Sequence, residues 1–104
     1  MSMIRSFRST DAAALFHDMP VRRFQAIERP ARRKLLYLHR ARVLEDLRAP
    51  PANQLEALKG DRKGQHSIRI NDQWRICFTW QSADTHDVEI VNGNRAISAD
   101  TALT

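Results

Sequence analysis

At 104 residues, with 17 Lys+Arg against 12 Asp+Glu for a net charge of +5, the chain is long enough for one hydrophobic core and too short for two. That size argues against an enzyme built around a large cofactor, and the basic balance points to an anionic partner: nucleic acid, an acidic protein or a membrane surface. The single cysteine, Cys77, excludes an internal disulfide; placed within a strand it reads as a packing residue suited to a reducing cytoplasm. No apolar run approaches the ~18 to 20 residues of a membrane span, and the N-terminus lacks the hydrophobic core of a signal peptide, so a soluble cytoplasmic protein is expected.

Met3 to Phe7 is a short strand with Ile4 turned inward. Thr10 or Asp11 can cap a first helix, in which Ala12, Leu15, Phe16 and Met19 recur at helical spacing until Pro20 stops it. A second helix begins near Phe24 or at Pro30, and the apolar series Leu35, Leu36, Leu38, Val43, Leu44, Leu47 carries it to Pro50-Pro51. Its flanks are basic, with Arg32, Arg33 and Lys34 in succession. They serve equally as a solvated helix face or as an RNA-binding surface. Gln54 to Leu58 follows as a strand, and Lys59, Arg62 and Lys63 lie among Gly60 and Gly64 in a tight basic turn.

The most informative stretch is the hairpin after that turn. His66, Ile68 and Ile70 alternate with Ser67 and Arg69; beyond Asn71-Asp72-Gln73, Trp74, Ile76, Phe78 and Trp80 alternate with Arg75, Cys77 and Thr79. A two-residue loop would set Arg69 opposite Trp74 and put a charge on the apolar face. A three-residue loop sets Ile70 opposite Trp74, Ile68 opposite Ile76 and Arg69 opposite Arg75, and keeps both faces uniform. Two like charges directly opposite repel by about 0.2 to 1 kcal/mol. An open face that carries such a pair beside Lys59, Arg62 and Lys63 reads as a phosphate-binding surface, or as two arginines splayed into solvent. A last strand runs from His86 to Val91 with Val88 and Ile90 inward and Asp87 and Glu89 outward. Residues 1–91 then form the domain, and 92–104 a polar tail opened by the turn signal Asn92-Gly93.

The four histidines are scattered and one cysteine offers no paired thiolates, so no metal site is expected; no Gly-rich nucleotide loop is present either. If the anionic partner is RNA, a small protein of this kind can still cleave it without a metal. A base takes the proton of a ribose 2′-hydroxyl, cations steady the charge on the phosphoryl oxygens, and an acid protonates the leaving 5′-oxygen. Arg69 and Arg75 suit the cationic role, because guanidinium meets phosphate bidentately and keeps its charge. Glu56 and Glu89 are carboxylates within reach of that face, able to move a proton or to pair with the arginines. His66 titrates near neutrality, yet its parity with Ile68 and Ile70 also fits a core histidine.

Taken together, MIRSF at Met3 to Phe7, LKGDRKGQHSIRINDQWRICFTW at Leu58 to Trp80, and DVEIV at Asp87 to Val91 resemble the HigB group of RelE-like toxins, with the pattern G-x-x-S-I-x-x-N-x-x-W-R as the most specific part. The resemblance implies an α+β fold, two N-terminal helices packed on a small twisted antiparallel sheet. It implies ribosome-dependent cleavage of translated mRNA without metal or small-molecule cofactor, and neutralisation by a helix-turn-helix antitoxin of the HigA type. By the same resemblance Arg69, Arg75, Lys59, Arg62 and Lys63 occupy site positions. Relatives commonly close the last strand with Asp-Tyr-His and some carry a histidine where this chain has Glu56; here Asn92-Gly93-Asn94 stands in the former place. These departures imply attenuated cleavage or, as the alternative, a non-catalytic module of the same fold that binds RNA, ribosome or antitoxin.

Overall fold

The computed structural model describes residues 3–92. It is an α+β fold of two α-helices, α1 (Thr10–Phe16) and α2 (Glu28–Arg40), and a four-stranded antiparallel meander: β1 (Glu56–Ala57), β2 (His66–Arg69), β3 (Trp74–Gln81) and β4 (Asp84–Asn92), in that spatial order. Both helices contact β4. Among the described residues no helix is long and apolar enough to cross a membrane.

The N-terminal segment lies along the free edge of β4 in parallel orientation, through bridges at Ile4–Thr85 and Phe7–Val88. It is tied by backbone hydrogen bonds such as Arg5 N–H to Thr85 O (2.8 Å) and Arg8 N–H to Val88 O (2.9 Å). The extended reading of Met3 to Phe7 thus holds as two isolated bridges rather than as a full strand. Between them β4 carries one extra residue opposite β3: Asp87 adopts a left-handed conformation at φ 53° and its N–H turns to Ser6 Oγ at 2.8 Å.

The cap of α1 is Ser9, one residue before the expected position, its Oγ accepting from Ala12 N–H at 3.1 Å. The helix ends at Phe16 because Asp18 turns left-handed at φ 66°, and Met19 is left 56% exposed instead of buried. The second helix is also shorter than its apolar periodicity predicts. A 3-10 turn over Arg22–Ile27 leads into it, and Pro30 stands in its first turn, where no helical acceptor is needed for the missing N–H. It stops at Arg40, as Ala41 becomes extended and Asp46 Oδ2 draws in the backbone N–H groups of Arg42 (2.8 Å) and Val43 (3.3 Å). A side chain that captures backbone donors competes with the helix, so Leu44 and Leu47 belong to a separate 3-10 turn, Leu44–Arg48. Leu47 is buried all the same, so the apolar period continues past the end of the helix.

The hairpin register is the one that keeps the faces uniform. His66 pairs with Phe78, Ser67 with Cys77, Ile68 with Ile76 and Arg69 with Arg75. The loop is held by Asn71, whose Oδ1 accepts from Gln73 N–H (2.9 Å) and Trp74 N–H (2.8 Å). Ile68, Ile70, Ile76, Phe78, Val88 and Ile90 then form one wall of the core, against Leu15, Phe24, Ile27, Ala31, Leu35, Leu38 and Leu47. The strand read over Gln54 to Leu58 is β1, only two residues long. Beyond Asn92, the expected tail and the Gly93 of its turn signal lie outside the described residues.

Candidate functional site

On the face of the sheet away from the core, side chains line up in two rows. One crosses Glu56, Ser67, Cys77 and Glu89; the next crosses Arg69, Arg75 and Val91. This face is not open. Ser67 and Cys77 are fully buried, and the Arg75 side chain keeps 11% of its exposure. Arg75 donates from Nε to Ser67 Oγ (2.9 Å) and from a terminal nitrogen to the carbonyl of Gln54 (2.7 Å), with Glu56 Oε1 at 3.9 Å. Gln54, itself exposed, offers that carbonyl from a left-handed conformation, at φ 46°. Burial pulls the Arg75 guanidinium below its usual pKa; Glu56 and Cys77 oppose the shift, and Arg69 adds to it.

Arg69 is the more accessible of the pair, its side chain 30% exposed, and its guanidinium pairs with Asp72 in the hairpin loop. The two facing arginines are therefore accommodated by separate protein acceptors. The basic turn does reach this face: Arg62 donates to Glu89 (2.8 Å) and to Gln65 Oε1 (3.1 Å), in an ion pair that is largely enclosed on both sides. Lys59 and Lys63, from the same turn, are exposed. The structure thus gathers Arg62, Arg69, Arg75, Glu56 and Glu89 on one surface.

His66 is not among them. It faces the core, stacks on Phe78 at 6.2 Å between centroids, and buries an Nδ1 that has no hydrogen-bond partner. Burial lowers its pKa. The three consecutive bases of α2 also diverge, as a 100° step per residue requires. Arg33 is exposed. Arg32 turns back to bond Leu15 O (3.0 Å), Met19 O (3.1 Å) and Glu28 (2.6 Å), holding the end of α1. Lys34 is buried: it donates to Asn53 Oδ1 and lies over the Tyr37 ring at 5.3 Å. Its pKa falls, through burial first and Arg33 second. Fully buried Asn53 in turn donates to Leu47 O and Ala49 O, both at 3.1 Å, fixing the chain next to Gln54.

The sequence pattern marks Ser67, Gln54, Asn53 and Asp72 less plainly than the charged residues they bond. Ser67 shares the parity of Arg69, and Asp72 follows Arg69 by three residues, so both left a signal in the hairpin. Gln54 and Asn53 left none, because their partners are brought in by the fold.

The sequence that carries this face is similar to known proteins. The family model for the RelE-like toxin of the type II toxin-antitoxin system HigB matches residues 5–92. The chain belongs to the HigB-like toxin family. It is 47% identical over 55 residues to Toxin HigB-1 of Vibrio cholerae serotype O1, which covers 53% of this chain and 58% of that protein. It is 34% identical over 56 residues to an uncharacterized protein of Haemophilus influenzae, covering 54% of this chain and 55% of that one. The alignments span a little over half the length of these curated relatives. The HigB-like match takes in both helices, the hairpin and the whole of β4, so every residue gathered on the polar face lies within it.

Proposed function

We propose that this chain is the toxin component of a type II toxin–antitoxin system, a metal-independent ribonuclease that cuts mRNA on the ribosome with attenuated activity. Its partner is then a helix-turn-helix antitoxin of the HigA type. The observation that carries the reading is the pairing of Arg69 with Arg75 on adjacent strands, with Arg62 on the same face and Lys59 and Lys63 exposed in the turn beside Arg62. A guanidinium pair of this kind suits phosphoryl oxygens that gather charge when the 2′-oxygen bonds to phosphorus and the bond to the 5′-oxygen breaks. Glu56 serves as the base that takes the 2′-hydroxyl proton; in support, its side chain is 51% exposed and its Oε1 is 3.9 Å from Arg75. Lys59, Lys63 and Arg33 hold flanking phosphates, as exposed cations do.

Attenuation follows from how few proton-transfer groups are free. Glu89 is committed to Arg62, His66 faces the core, and Asn92-Gly93-Asn94 replaces the Asp-Tyr-His of relatives. Losing such a group costs about 10² to 10⁴ in rate. The same observations favour the second reading, a non-catalytic module that binds RNA, ribosome or antitoxin. Induction in bacteria with and without the neighbouring gene, with mRNA 5′ ends mapped, separates the two. New 5′ ends inside translated regions support the nuclease. Binding to RNA or antitoxin with no new ends supports the module.

A further inference from the structure

Three arginines stand on the polar face, and their counter-groups differ in kind. Arg75 is held by the neutral oxygens of Ser67 and Gln54, with Glu56 farther off at 3.9 Å. Arg62 shares an enclosed pair with Glu89, whose side chain is 16% exposed. Arg69 is held by Asp72, whose side chain is 95% exposed at the tip of the hairpin. The loop does not depend on that carboxylate for its shape, because Asn71 Oδ1 makes the bonds that close it.

A carboxylate and a phosphate present the same kind of oxygen edge to a guanidinium fork, so an anion approaching Arg69 competes with Asp72 for the same donors. We infer that Asp72 is an exchangeable internal counter-ion, occupying on Arg69 the position that an RNA phosphate takes in the complex. This rests on the RNA-binding reading above and adds a residue that sets its affinity. The arrangement makes Arg69, rather than Arg62, the arginine that changes partner on binding: the Glu89 carboxylate is largely enclosed, whereas the Asp72 carboxylate swings into water at little cost. An exposed pair of this type is worth a factor of about five or less, which keeps the exchange within reach of one phosphate contact.

The test is fluorescence anisotropy of a short unstructured RNA oligonucleotide against the full chain, across a range of salt concentrations. Asp72→Asn is expected to tighten binding about two- to fivefold, and Asp72→Ser to act alike, with thermal midpoints close to that of the parent. In an Arg69→Ala background the gain from Asp72→Asn is expected to vanish, since the exchange then has no arginine to act on. Unchanged affinity in Asp72→Asn and Asp72→Ser overturns the role of Asp72 while leaving RNA binding intact. An equal gain with and without Arg69 overturns it too, because a change in general field would explain the result. Failure of the parent and every variant to bind RNA overturns the RNA-binding reading and the inference together.

Discussion

The two faces of the sheet bury side chains equally well by different means. Ile68, Ile76 and Phe78 on one face are fully buried, and so are Ser67 and Cys77 on the other. The first set meets the helices through apolar contact, which has no direction and asks only for the right volume. The second lies beneath a layer of directed bonds, in which Arg75 reaches Gln54, twenty-one positions away in the chain, and Arg62 reaches Glu89, twenty-seven away. Alternation in a sequence tells which face is apolar. It does not tell which face is open.

The apolar face should break hardest. Phe78→Ala removes a fully buried ring beneath His66 from the core and leaves a cavity, and is expected to cost about 3 to 5 kcal/mol of stability, measured by denaturant unfolding. The polar face comes second. As an exposed residue Arg75 would tolerate truncation within about 0.5 kcal/mol; enclosed as it is, Arg75→Ala returns the exposed Gln54 carbonyl to water but leaves the buried Ser67 hydroxyl without its donor, at a cost of about 1 to 3 kcal/mol. A change near zero in the unfolding midpoint would show that the hydroxyl is resolvated too, and that the face is more open than its buried serine indicates.

This contrast marks how far the sequence could be read. The hairpin register was legible from Ile68, Ile70, Trp74 and Ile76 alone, because a slip of one residue moves a whole apolar set to the wrong side. The gathering of Arg69 with Arg75 follows from that register. The end of α2 was not legible, since Leu44 and Leu47 continue the helical period while Asp46 captures the backbone ahead of them. Nor was the inward turn of Lys34, which is set by Asn53, a residue whose own position depends on the folded path of the 47–53 segment. The two helices and the hairpin were legible as separate elements from their periodicity, and the family resemblance added the expectation that the helices pack on the sheet.

His66 sharpens the comparison through pH, for it is a titratable group placed on the apolar face. Burial lowers its pKa from the usual 6.5, so the folded chain takes up this proton at lower pH than the unfolded chain. The stability contributed by keeping the imidazole neutral is complete above pH 6.5 and falls as pH drops through the folded value. His66→Leu removes both the titration and the unpartnered Nδ1. Its unfolding midpoint is expected to decline less than that of the parent as pH falls from 7 toward 5, and parallel profiles would show that other groups govern the acid limb.

The smallest effect on folding should come from Arg69, and there the two faces separate most cleanly. Its counter-ion is an exposed carboxylate three residues away, so Arg69→Ala gives up one solvent-screened pair and relieves a like charge opposite Arg75. The two changes oppose each other, and the net shift in stability is expected to stay within about 0.5 kcal/mol. If Arg69 meets a phosphate as proposed, its loss is by contrast expected to reduce RNA affinity and flatten its dependence on salt, since fewer counter-ions are displaced when RNA binds. Growth inhibition should fall with it while the protein level and thermal midpoint remain those of the parent. If Arg69→Ala is as toxic and binds RNA as tightly as the parent, the phosphate is held elsewhere on the chain, with the exposed Lys59 and Lys63 of the basic turn the next positions to replace.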